Sequence, residues 1–181
     1  MRETIDTLPN RDVGRRVLLA GLMSIVVLDA SAGEPFAFDP PPFLGSAEIV
    51  RAATGNTWQF DGGDEHPAAR LLITLAEIPA GMSEADTSVC AEAFLEQIRR
   101  RRHDAFWQPE TPALRLGGRE VASWRWAGSF DRVPATGLVA CTSVAGRFLA
   151  VAFEDSIAGA PQTFPAIRRA LSTLDPATTE P

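Results

Sequence analysis

Four groups of residues in this chain have the types and spacing that could carry chemistry. The first is the loop "FDGGDEHP" at 60–67, which gathers Asp61, Asp64, Glu65 and His66 around two glycines. Oxygen-rich loops hold calcium, which takes about six to eight oxygen ligands. The spacing is not that of the twelve-residue EF-hand loop, and Gly-Gly-Asp-Glu is also ordinary turn chemistry. The loop therefore reads as a solvated hairpin turn, with no metal and no other cofactor expected. Asp61, Asp64, Glu65 and His66 remain the candidates should the chain be a metal-dependent or hydrolytic enzyme.

The second group is Cys90 and Cys141, the only cysteines. Either could form a formal Cys–His pair with His103, but two cysteines in an oxidising compartment favour a bridge with each other. The bridge requires Cα atoms within roughly 7 Å; two buried free thiols are the alternative. The third group is "IRRRRHD" at 98–104. Four successive arginines spread around a helix build no single face, whereas at a helix C-terminus they meet the negative end of its dipole. Glu96 stands four residues before Arg100, the stabilising order for a helical ion pair.

The fourth group is "SWRWAGSF" at 123–130. In a strand it places Trp124 and Trp126 on one side and Arg125 on the other. These residues read either as core beneath a helix or, with Trp107 beside Phe106, as a partner surface of the Trp- and Arg-rich kind. Trp107, Trp124, Arg125 and Trp126 are the partner-binding candidates, and no catalytic residue is assigned. A nucleophile needs a base in reach, yet no Gly-x-Ser-x-Gly motif occurs and the two histidines fall on a loop and a helix end. Lys and Tyr are absent, which removes Schiff-base chemistry and a phenolic acid. The chain reads as non-enzymatic.

The elements that must position these groups follow from periodicity. Residues 47–53 and 57–60 are short strands joined at Gly55-Asn56, and 69–78 is a longer strand stopped by Pro79 and Gly81. Residues 83–102 form a helix capped by Ser83, with Cys90, Ala91, Phe94, Leu95 and Ile98 on its apolar face. "ALRL" follows "QPETP", and Gly117-Gly118 makes a tight turn. Strands at 119–130, 135–145 and 147–155 come next, the last two separated by Gly146 in a hairpin. A final helix at 161–174 buries Phe164, Ile167, Ala170, Leu171 and Leu174. The order β-β-β-α-β-β-β-β-α predicts an α+β fold: an antiparallel sheet with the long helix and the C-terminal helix packed on it, an α/β/α sandwich.

The beginning of the chain is the most legible stretch. A polar leader ends in Arg15-Arg16, residues 17–28 are strongly apolar except for Gly21 and Ser24, and Ala30-Ser31-Ala32 follows. This is the pattern of a secretory signal peptide over 1–32, cleaved after Ala32. The apolar run falls short of the roughly 20 residues that a membrane span needs, so no span is expected after cleavage. The arginine pair resembles a twin-arginine signal. Gly14 before the pair and Val17-Leu18-Leu19-Ala20 after it depart from that pattern, and the export route stays open. The mature protein is expected to be periplasmic or secreted.

Residues 33–46, with Pro35, Pro40, Pro41 and Pro42, read as a Pro-rich extended leader. Residues 47–174 read as a single α+β domain and 175–181 as a flexible tail. The 17 basic residues are all arginine and 23 residues are acidic; four of each lie in 1–32, so the net charge of −6 survives cleavage. An acidic domain is a poor partner for nucleic acid, whose phosphates need a basic face. A hydrophobic content of 45% argues against general disorder.

A strand ended by Pro-Gly, a long helix, a Gly turn, "REVASWRW", "RFLAVAFE" and a closing "FPAIRRALSTL" together resemble the PsbP/DcrB-like superfamily over roughly Trp58 to Leu174. The resemblance implies an α/β/α sandwich and a protein that binds other proteins, with no shared catalytic residue. The combined reading is an exported, non-enzymatic binding protein, an accessory or assembly factor of the cell envelope whose partner is another envelope protein. A small-molecule or lipid carrier, and an enzyme centred on the 61–66 loop, are the alternatives.

Overall fold

The computed structural model describes residues 36–130 and 132–175. The expected signal peptide at 1–32, residues 33–35 of the leader and 176–181 of the tail lie outside the described residues. The elements run β1 (Glu48–Ala52), β2 (Gly55–Asp61), β3 (Arg70–Glu77), α1 (Thr87–Arg101), β4 (His103–Pro109), β5 (Leu114–Leu116), β6 (Arg119–Val121), β7 (Ser123–Phe130), β8 (Val133–Val144), β9 (Arg147–Ser156) and α2 (Ala160–Ser172). Seven strands form one sheet in the order β1-β2-β3-β9-β8-β7-β4, every neighbouring pair antiparallel. β5 and β6 make a separate hairpin. The fold is α+β, as the sequence pattern predicts.

Side-chain alternation along the two central strands divides the interior. Leu138 and Ala140 of β8, with Leu149, Val151 and Phe153 of β9, face α2; Val139 and Cys141, with Phe148 and Ala150, face α1. The helices therefore lie on opposite faces of the sheet. On the α2 face the core extends from Trp58, Phe60, Leu71 and Ile73 to Phe164, Ile167, Leu171 and Leu174. On the α1 face it is smaller: α1 buries Cys90, Ala91 and Leu95, with Phe94 and Ile98 half-buried beside them. Among the described residues no helix is long and apolar enough to cross a membrane.

Several elements differ from their sequence expectation, each for a physical reason. Asp86, not Ser83, is the N-cap of α1, because the Asp86 carboxylate accepts bonds from the Ser83 backbone N–H (2.7 Å) and hydroxyl (2.8 Å) and folds 83–86 into a turn. The first hairpin turns at Ala53-Thr54, and Gly55 already pairs with Ala52; a Cβ on Gly55 would stand 2.3 Å from the Leu75 carbonyl oxygen. The run 119–130 is two strands, parted at Ala122 where the Ser123 hydroxyl accepts the Leu114 N–H at 3.0 Å. β4 is a strand that the sequence pattern did not anticipate.

From Phe36 onward the Pro-rich segment packs against the rest of the domain. Phe36 and Leu44 are buried in the α2-face core, and Phe36 meets Trp58 edge-on at 4.8 Å. Ala37 pairs with Asp175, which ties this segment to the residue at the start of the expected tail. Phe38 packs on Phe60 at 5.4 Å. The aromatic residues between the prolines give the extended segment something to bury.

Candidate functional site: an arginine-lined cleft beside the C-terminal helix

Asp155, buried at the end of β9, positions the site by fixing the start of α2. Its carboxylate accepts the Thr163 hydroxyl at 2.8 Å, and Gly159 passes so close that a Cβ there would lie 2.5 Å from the Asp155 oxygen. Phe164 and Arg168, one helical turn apart, then share a face of α2. Phe164 packs edge-on against Phe153 at 5.2 Å, and Arg168 extends past it toward the loop that follows β4.

That loop supplies Glu110. Its backbone N–H bonds to the Ser123 carbonyl at 2.8 Å, and only 6% of its side chain is exposed. Arg125 of β7 donates from Nε at 2.8 Å and from Nη2 at 3.0 Å, one to each Glu110 oxygen, the bidentate geometry that makes arginine pairs strong. Arg168 donates to the same carboxylate at 2.5 Å and to the Pro112 carbonyl at 2.7 Å. The Arg125 guanidinium also lies over the Phe164 ring at 4.5 Å.

These residues line two adjoining open hollows of about 560 and 400 Å³. Gln108, Pro109, Glu110, Thr111 and Arg125 border the first; Phe164, Pro165 and Arg168 join the second. Two guanidiniums against one carboxylate leave the cleft with one net positive charge. Both Glu110 oxygens already accept guanidinium donors, while 41% of the Arg125 side chain is exposed. The cleft presents an oriented cation beside a ring and three prolines, a surface suited to holding an anionic group with apolar neighbours.

The partner-binding candidates do not form one surface. Trp126 is 1% exposed and lies in the α1-face core, where its ring covers Gly137 so closely that a Cβ there would stand 2.4 Å from the indole nitrogen. Trp107, its register partner, and Trp124 are half-buried on that same face. Arg125 is on the opposite face, in the cleft. Glu110 and Arg168, which hold it there, were not singled out by the sequence reading, because they stand 15 residues before and 43 after it.

The 61–66 loop brings no such group together. Asp61 accepts from Arg70 at 2.7 Å and from Gln59 at 2.9 Å, Asp64 and Glu65 are exposed, and the His66 ring faces Phe43 at 5.2 Å. Among the described residues no three His, Cys, Asp or Glu side chains converge as metal ligands. In the arginine run, Glu96 pairs with Arg99 at 2.8 Å and with Arg100 at 3.5 Å. The Arg99 bond holds Glu96 below the usual carboxylate range, and Glu96 in turn raises Arg99. Arg102 bonds Glu154 at 2.8 Å and lies over Trp126 at 5.8 Å. Cys90 and Cys141 are joined as a disulfide, with Cα atoms 6.1 Å apart.

No protein-family model matches this chain, and no curated protein matches it. Among solved structures it is similar to LpqN of Mycobacterium tuberculosis, described as involved in cell envelope biogenesis. The two are 12% identical with a TM-score of 0.45, over 77% of this chain and 83% of that one.

Proposed function

We propose that this chain is an exported, non-enzymatic binding protein that serves the cell envelope as an accessory or assembly factor. The observation that carries the reading is the cleft: its carboxylate is clamped by two arginines and its open donor is the outer edge of Arg125. Such a site recognises and holds; it offers no free base beside a nucleophile. The Cys90–Cys141 bridge supports an oxidising compartment, in keeping with the export signal read at 1–32. The element order that resembles the PsbP/DcrB-like superfamily supports protein binding. A carrier of lipids or small molecules would use an enclosed apolar cavity, whereas these hollows are open and bordered by Glu110, Arg125 and Arg168.

Affinity capture from envelope extract tests the reading. A specific envelope protein is expected to be retained, and retention should survive combined Asp64→Ala, Glu65→Ala and His66→Ala substitution. Co-purification of small molecules alone would favour the carrier, and loss of function in the folded triple variant would restore the enzyme.

A further inference from the structure

β4 is one edge of the seven-stranded sheet. Among the described residues it pairs with β7 alone, so alternate backbone N–H and C=O groups along its outer side have no strand partner. An edge of this kind takes up an extended segment through main-chain hydrogen bonds, while side-chain contacts select the partner. A bulge between His103 and Phe106, with Asp104 at φ 58°, interrupts the start of the strand. Beyond it, residues 106–109 keep regular register with β7. This regular stretch carries Phe106, which is 63% exposed.

The register ties the edge to the cleft. Gln108 is the partner of Arg125, and Phe106 is the partner of Ala127, so both project on the cleft side of the sheet. At the far end Arg99, Arg100, Arg101 and Arg102 lead directly into the strand. Arg99 and Arg100 share Glu96, and Arg101 is exposed with no ion pair among the described residues. On a chain of net charge −6, this edge is basic at both ends.

We propose that β4 is the docking edge for an extended acidic segment of a partner protein, which adds as a further strand and lays a carboxylate against Arg125. The proposal rests on the reading of the chain as a binding protein and names the partner's chemistry. Arg125 is already fixed by its bidentate bonds and the Phe164 ring, so binding costs little additional side-chain entropy. β4 has seven residues, about 23 Å at ~3.3 Å per residue. Acidic side chains an odd number of residues apart in the partner, roughly five or seven, would project to opposite faces of the added strand and so meet the two basic ends, with an apolar residue on the cleft side covering Phe106.

The test is selection of phage-displayed random peptides on the exported protein. Selected peptides are expected to be richer in Asp and Glu than in Lys and Arg, and to slow hydrogen exchange at the β4 amides. Phe106→Asp and Arg101→Glu, both at exposed positions, should each weaken the selected peptides about tenfold, with thermal unfolding unchanged as the control for folding. Peptides without acidic excess, protection at β1 in place of β4, or affinity indifferent to both substitutions would overturn the edge while leaving the binding-protein reading intact. A library that yields no binder, while envelope capture still retains a protein, would also overturn the edge alone; failure of both would remove the binding-protein reading as well. Binding to phosphatidylglycerol vesicles in place of any peptide would assign the basic ends to a membrane and refute the proposal.

Discussion

The two faces of the sheet are held by different means. The α2 face closes on large side chains drawn from the whole chain, from Phe36 to Leu174. The α1 face has a smaller buried core: Cys90, Ala91 and Leu95 of the helix pack with Trp126, Val139, Cys141, Phe148 and Ala150. Apolar burial stabilises by roughly 25 cal/mol per Å², so the face with the smaller buried core gains less from area. A covalent bond across that interface adds to the packing there. The disulfide thus belongs to the face with the smaller core, and the cleft is built on the face with the larger one.

The largest expected effect comes from the α2 face. Phe153→Ala removes a buried ring between the sheet and Phe164, and a loss of about 3–5 kcal/mol is expected on chemical denaturation. The second is on the α1 face. Cys90→Ser with Cys141→Ser opens a loop of 51-residue separation, and a loss of about 2–4 kcal/mol is expected. Exposure of Trp126 fluorescence to quencher should rise in that variant and stay unchanged in Phe153→Ala at temperatures below unfolding. A larger loss from the cysteine pair than from Phe153→Ala would break the comparison.

A smaller effect belongs to the cleft. Glu110→Gln leaves Arg125 and Arg168 facing each other across a neutral amide, and a cost of about 1–3 kcal/mol is expected, reduced by the partial exposure of both arginines. Partner capture should fall with it, because Arg125 loses its orientation; a folded Glu110→Gln protein that captures undiminished would separate the cleft from function.

The smallest effect is at the start of α1. The Ser83 backbone N–H, then its hydroxyl, hold Asp86 below the ordinary value of 3.8. Folding thus favours the ionised carboxylate, a contribution fully present above that value and lost as the pH falls through the lowered one. The stability gap between the native protein and Asp86→Ala should be constant from neutral pH down to about 5, then close in more acidic buffer. A gap that widens on acidification would contradict the assignment.

Legibility in the sequence followed the range of the signal. Both helices and the long strands were readable because apolar spacing repeats within ten or so residues. β4 was hidden by four arginines before it and by the left-handed Asp104 inside it, which together erase alternation. Ala122 carries no turn signal, so β6 and β7 read as one strand. Phe36, Phe38 and Phe43 among the prolines were the available sign that the leader packs. Trp124 and Trp126 were correctly placed on one side of their strand, with Arg125 on the other. Which face would be core depended on α1 and α2, and no local pattern encodes that. Glu110 is a lone acid in a Pro-rich loop, and its partners arrive only with β7 and α2.

Export and the staple can be tested together by intact mass spectrometry, without reductant, of protein recovered from outside the cytoplasm. One species is expected, beginning at Gly33 and two hydrogens lighter than its dithiol form. A species beginning at Met1, or a mass matching two free thiols, would contradict this.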